Sequence, residues 1–161
     1  MQPQLNSQPE LAMGVRWPSR IPLGSLDICA WELQTTRDNV IPMIDSGRLA
    51  WAWHMESLRS MRRCLRVWRE SLMALKLGVP QPDDTPDAVA ANILPVGRPW
   101  LSVQELHQRW MLSSGHLTDL IDQGELAVTS DSPWGRGAGN SPRITRESAA
   151  AFLRRRRVGA A

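Results

Sequence analysis

Tyrosine is absent and phenylalanine occurs once, so almost all the aromatic bulk of this 161-residue chain is carried by eight tryptophans. Lysine is nearly absent too: Lys76 is the only one among 19 basic residues. Cysteine is scarce. Cys29 and Cys64 cannot make a structural zinc set by themselves, and no CxxC or HxxxH spacing accompanies them; both are expected to be reduced, partly buried residues. No apolar run approaches the roughly 20 residues of a membrane span. The opening "MQPQLNSQPELAMGVRWPSR" has no charged-then-apolar leader pattern, which makes the cytoplasm the expected location. His54, His107 and His116 are dispersed, and there is no GxSxG, phosphate loop or dinucleotide fingerprint. Glu70 and Glu147 each open a helix, where a carboxylate serves the dipole and the capping bonds. These absences argue against an enzyme, and no cofactor, metal, membrane or small-molecule substrate is expected.

What is present is a repeat. "MIDSGRLA" (Met43–Ala50) returns 77 residues later as "LIDQGELA" (Leu120–Ala127), and at the same offset "RVWRESLMAL" (Arg66–Leu75) falls on "RITRESAAAF" (Arg143–Phe152). Ser25 meets Ser102 and Arg59 meets Arg136, giving twelve identities over 51 ungapped positions where composition alone gives about three. Between the copies, "GVPQPDDTPDAVAANILPVGRP" is rich in proline and aspartate and reads as a flexible linker with a short helix over 87–94. The net charge is +3, with an excess of basic over acidic residues in both copies and an acidic excess between them. Arginine suits bidentate phosphate and guanine contacts, but GC-rich coding also turns lysine into arginine, so the excess alone decides nothing.

Each copy has the same expected order. In the second, Ser102 caps a helix with Val103, Leu106 and Trp110 on one face. Ser113 caps another, with Leu117, Leu120 and Ile121 buried and Gly124 as its left-handed stop. "AVTS" and "RIT" then flank a glycine-rich loop, and "RESAAAFLRRRR" is a final helix. In the first copy, Leu26, Cys29 and Leu33 line helix one, and Val40, Met43 and Ile44 line helix two, which Thr36 caps. "LAWAWHM" and "RCLRVW" make the hairpin, in which Trp51 and Trp53 are expected in the core with Leu49. Pro42 inside helix two is expected to kink or shorten it.

This pattern resembles the excisionase-type, MerR-like winged helix-turn-helix domains of bacteria and phages. It carries a helix-turn-helix ending in Gly-Glu/Arg-Leu, a short wing, then Arg-Ile-x-Arg-Glu and an apolar helix. The resemblance covers about two-thirds of the chain. It implies a mainly α fold with small β-hairpins: two tandem winged helix-turn-helix domains joined by a Pro/Asp-rich linker. The expected boundaries are a flexible arm over 1–21, the first domain over 22–77, the linker over 78–98, the second domain over 99–157 and a tail over 158–161.

The resemblance implies double-stranded DNA as partner. Helix two would offer its exposed side to the major groove and the wing would meet phosphates or the minor groove. In the first copy the candidates are Arg37 for guanine, Asn39 for adenine and Ile41 for a thymine methyl, with Arg48, Arg59, Arg62, Arg63 and Arg66 around the wing. In the second they are Ser113, Ser114, His116 and Thr118, with Trp134 and Arg136 at the wing tip and Arg143 at its base. Asp119 and Asp122 oppose phosphate there, so this copy is expected to supply mainly phosphate contacts, or a surface for a protein partner or self-association. Arg154, Arg155, Arg156 and Arg157 read either as a phosphate-binding tail or as a solvated helix end.

The role expected is a transcription regulator or a recombination accessory factor, bacterial or phage-encoded and associated with the nucleoid. A flexible linker of about 20 residues, spanning about 25 Å, would place two heads on an asymmetric or direct-repeat site. The alternatives are a DNA-packaging oligomer or a protein-interaction adaptor.

Overall fold

The computed structural model describes residues 17–57, 60, 63–130 and 142–159. Among them are seven helices and small antiparallel sheets, a mixed fold that is mostly α. The first copy runs β1 (Leu23–Ser25), α1 (Leu26–Glu32), α2 (Arg37–Asp45), β2 (Ala52–His54), β3 (Leu65–Trp68) and α3 (Arg69–Leu77). A connecting helix, α4 (Pro86–Ile93), follows. The second copy runs β4 (Trp100–Ser102), α5 (Val103–Trp110), α6 (Ser114–Asp122), β5 (Arg143–Thr145) and α7 (Arg146–Arg156), and β6 (Arg157–Val158) closes it.

The repeat holds in three dimensions. Leu23 pairs with Trp68 and Ser25 with Arg66; 77 residues on, Trp100 pairs with Thr145 and Ser102 with Arg143. α2 and α6 occupy equivalent positions and both run nine residues, so Pro42 does not shorten α2. Both helix-helix turns contain a non-glycine residue in the left-handed region, Gln34 (φ 53°) and Met111 (φ 51°). Gly47 and Gly124 end α2 and α6 at φ 78° and 75°, a conformation that a side chain would strain. Ser25 and Ser102 cap the first helices, and Ser102 with Glu105 completes a capping box. Thr36 stands at the N-cap of α2 without a side-chain cap bond.

The ungapped alignment fails at one place. The hydroxyl of Ser71 accepts from the amide of Trp51, whereas that of Ser148 accepts from Ala127. Likewise Ala52 pairs with Val67, and Val128 bridges Ile144. The offset is therefore 76 in this strand and 77 elsewhere, and Ala50 is the extra residue of the first copy.

The two copies are not independent heads on a tether. Strand order is β1-β3-β2-β6, so the last strand of the second copy completes the sheet of the first, with Ala52 opposite Val158 and Trp53 opposite Arg157. The expected tail at 158–161 thus begins inside a sheet. β2 is buried on both faces. Ala52 points into the first copy's own core with Leu26, Cys29, Val40, Ile44 and Leu72. Trp51 and Trp53 point into a second core shared with α4 and with Leu106, Trp110, Phe152 and Leu153 of the other copy. Trp51 lies edge-on to Trp68 at 6.0 Å and gives its indole N–H to the Pro82 carbonyl at 2.8 Å.

Residues 78–98 do contain the expected short helix, but Val89, Ala90, Ile93 and Leu94 are buried in that shared core, which fixes a segment expected to be flexible. Part of the stretch expected as an arm is packed. Trp17 is buried against Gly24, where a Cβ would meet its ring within 2.6 Å, and its indole donates to the Ile21 carbonyl.

Candidate nucleic-acid interface

α2 turns Val40 and Ile44 inward, which leaves Arg37, Asp38, Asn39, Pro42 and Asp45 exposed. Arg37 reaches back to Asp27 on α1 (Nε–Oδ1 3.4 Å), and Arg63 reaches from the hairpin to Asp45 (Nη2–Oδ1 3.3 Å). The second contact brings the base of the β2–β3 hairpin beside the C-terminal end of the helix. All four side chains are more than half exposed. Such pairs contribute about 0–1 kcal/mol, so a phosphate can displace either carboxylate at little cost. Arg48 is exposed just after the Gly47 turn. Asn39 donates from Nδ2 to Thr35 Oγ1 at 2.8 Å, which holds its amide at the helix N-terminus. Ile41 is only half exposed and packs on the first core, so it has less surface to offer than expected. Arg59 and Arg62 lie outside the described residues, as do Trp134 and Arg136.

Arg66 is not part of this surface. Its Nε donates to the Trp110 carbonyl at 3.0 Å, its Nη2 to Met111 at 2.6 Å and its Nη1 to Leu65 at 2.8 Å. It thereby caps the C-terminus of α5 from the other copy. The reason is local: α1 closes its own end, with Gln34 N–H on Trp31 and Thr35 N–H on Ala30, and among the described residues the equivalent end of α5 makes no such main-chain bonds. Arg109 does the same for α4, donating to Ile93 at 2.7 Å and to Asn92 at 3.1 Å, and Arg146 donates to the Pro95 carbonyl.

The second copy presents a different helix. Ser113 caps α6 through the His116 amide (3.1 Å), Ser114 is exposed and Thr118 is half-buried. His116 is turned towards the first copy, with Nε2 2.7 Å from the Met55 carbonyl and 3.7 Å from Glu56 Oε1. Because a carbonyl only accepts, Nε2 carries the proton. Asp119 and Asp122 are exposed. Arg143 lies over the Trp100 ring at 4.7 Å, as does Arg98 at 4.2 Å.

The four terminal arginines do not form one phosphate-facing patch. Arg154 pairs with Asp87 of α4 at 2.8 Å. Arg155 donates to the Glu125 carbonyl at 3.3 Å, and the buried Arg156 lies 2.9 Å from the Glu125 carboxylate. Arg157 stacks on Trp51 at 3.5 Å and donates to the Ala50 carbonyl at 3.1 Å, and burial lowers its pKa. Arg156 and Arg157 are thus internal clamps rather than phosphate contacts, whereas Arg154 and Arg155 stay exposed with pairings as displaceable as those of Arg37 and Arg63.

Sequence reasoning missed Arg66 and Arg109 as helix caps, and Arg146 as a tie to the Pro95 carbonyl just after α4. A signal existed: α4 and α5 end in "NILP" and "RWML", without the glycine that closes α2, α3 and α6, so their last carbonyls need outside donors.

Among the described residues no three His, Cys, Asp or Glu side chains gather as a metal site, and no helix is long and apolar enough to cross a membrane. No family model matches the chain, and no curated protein or solved structure is significantly similar to it.

Proposed function

We propose that the chain is a tandem winged helix-turn-helix protein of the excisionase and MerR type that binds double-stranded DNA, and that reading is concentrated in α2. The observation that carries this is the contrast between equivalent helices. α2 leaves Arg37 and Asn39 exposed at its N-terminal half with Arg48 and Arg63 beyond them, whereas α6 carries no arginine or lysine and turns His116 into the first copy. A recognition helix needs long donors at its outward N-terminal positions and cations within phosphate reach, and α2 has both. With the copies locked by a shared core and sheet, the second copy serves mainly as a scaffold that holds the first. The target is then short and asymmetric, of one major-groove turn, as suits a regulator or recombination accessory factor.

The test is selection from a random duplex pool at low and moderate salt. Enrichment of one short motif, with affinity falling steeply as salt rises, is the expected result. A two-part motif with variable spacing overturns the single-head reading, and no binding at low salt overturns DNA binding. A second reading, a protein-interaction adaptor, is favoured by one observation: most arginines whose positions are described are engaged within the chain.

A further inference from the structure

The sheet of the first copy is closed at β2 by β6, and the repeat places an equivalent strand in the second copy around Val128. There the main chain of Thr129 donates to Arg143 and that of Thr145 donates to Ala127. Ala127 and Thr129 therefore face β5, and the pleat turns the N–H and C=O of Val128, between them, to the opposite edge. No main chain among the described residues pairs with that edge. The equivalent residue of the first copy, Ala52, has its edge filled by Val158. On the sheet face that carries Thr129 and Thr145 lies a groove of about 780 Å³. Thr129 and Ser130 form one side of it, α4 contributes Ala90, Ala91 and Leu94, and α7 contributes Ala150 and Glu147. The hydroxyl of Thr129 is buried without a hydrogen-bond partner, a state that costs about 1–3 kcal/mol until it is satisfied.

We propose that this edge and groove receive an extended segment of a partner protein, added as an antiparallel strand opposite Val128. The chain shows what fits such an edge in the first copy: an apolar β-branched residue, Val158, next to a long cation, Arg157. The pair alternates across the strand. The cation, opposite Thr129 as Arg157 is opposite Trp53, falls on the groove side, where its stem lies along the alanines and Leu94 and its head meets the exposed carboxylate of Glu147; the apolar side chain falls beside Val128 on the other face. The main chain supplies the binding energy and the two side chains supply the selectivity. The occupant is another protein rather than a second copy's terminus. Arg157 is held in its own chain by stacking on Trp51, and the second copy has Ala127 at that position, which gives a swapped terminus nothing to gain. This proposal does not depend on DNA binding.

The test is backbone amide exchange on the isotopically labelled full chain, with the synthetic peptide RRRRVGAA (the sequence of residues 154–161) as probe for the strand chemistry. Addition of peptide is expected to slow exchange at Val128 by about tenfold or more. Val128→Pro removes the outward N–H without touching either bond to β5, and is expected to abolish the effect. Peptide N-methylated on alternate amides should lose it too, an arm that does not rely on the variant folding. Three results overturn the proposal: Val128 already protected in the free monomer, protection arising at β2 instead of Val128, or no change at millimolar peptide. Protection that grows with protein concentration alone, together with dimer formation, overturns the choice of occupant in favour of a second copy.

Discussion

Replacing Arg66 by methionine keeps most of the aliphatic stem and deletes the guanidinium that bridges the two copies. Two of its three hydrogen bonds end on the Trp110 and Met111 carbonyls, at a helix end that makes no self-capping bonds. Hydrogen bonds from a charged donor contribute about 1.5–3 kcal/mol each, and leaving a half-buried carbonyl unsatisfied costs about 1–3 kcal/mol. Some of that loss is recovered because water can reach part of the site, so a destabilisation of about 3–4 kcal/mol is expected. That is a large share of the roughly 5–15 kcal/mol of a natural domain. Equilibrium urea unfolding followed by tryptophan fluorescence reads it directly, and Arg143→Met, at the repeat-equivalent position, is the control. Arg143 lies exposed over Trp100, so its loss should cost no more than about 1 kcal/mol. The signature is local as well. Amides of the α5–α6 turn should exchange faster in Arg66→Met, and the Cys64 thiol, which burial raises and Arg66 partly holds down, should titrate at higher pH. A change within about 0.5 kcal/mol of the parent, accompanied by weakened DNA binding, would falsify the assignment of Arg66 as a clamp and return it to the nucleic-acid surface.

Other expectations follow from the same packing. Ile93→Ala in α4 should cost about 2–4 kcal/mol in the same unfolding assay, since that side chain is wholly buried; a flexible linker would tolerate it. Cys29 is raised by burial from its ordinary 9.0 to about 12, so it should resist thiol reagents in the native protein below that pH. A thiol with a raised folded pKa stabilises the fold fully below pH 9, and that contribution is lost as pH climbs from 9 to about 12. Cys29→Ala should flatten that limb of the stability-versus-pH curve. In the DNA assay, Arg37→Ala with Asn39→Ala should weaken binding to a selected site by about 1–3 kcal/mol for each base contact, while Ser114→Ala and Thr118→Ala leave it unchanged. Arg48→Ala should lower the salt dependence by about one unit of slope without altering the motif.

The local elements were readable because each has a local cause. Ser102 and Glu105 announce a capping box, Gly47 and Gly124 announce helix ends, and Leu117, Leu120 and Ile121 fall on one helical stripe. What escaped is what one copy does to the other. β6 is two residues long, too short for any alternation to show, and it forms because β2 offers it an edge. "LAWAW" held a clue in its unbroken apolar run, which fits a strand buried on both faces better than an exposed wing. Arginines are the hardest to read, because the same guanidinium suits a phosphate, a helix end or an indole. Arg37 and Arg63 remain on the surface, while Arg66 and Arg157 do not, and that difference is set by residues 44 and 107 positions distant. The extra Ala50 was invisible because Ala127 matches it by type.

The pairing of β6 with β2 bears on the order in which the protein is made. The ribosome delivers the chain from its N-terminus at about 5–20 residues per second, so the α1–α2 unit can collapse early. Its sheet, however, keeps a bare edge at Ala52 and Trp53 until residues 157 and 158 have left the exit tunnel. During that interval Trp51, Trp53 and Trp68 lack the cover that α4 and the second copy give them, and present one wide apolar face to solvent. A stalled or shortened product ending before residue 157 is thus a ready client for chaperones and a template for edge-to-edge aggregation. The last turn of α7 and the two residues beyond it set when the first copy's sheet is closed and its tryptophans are fully covered.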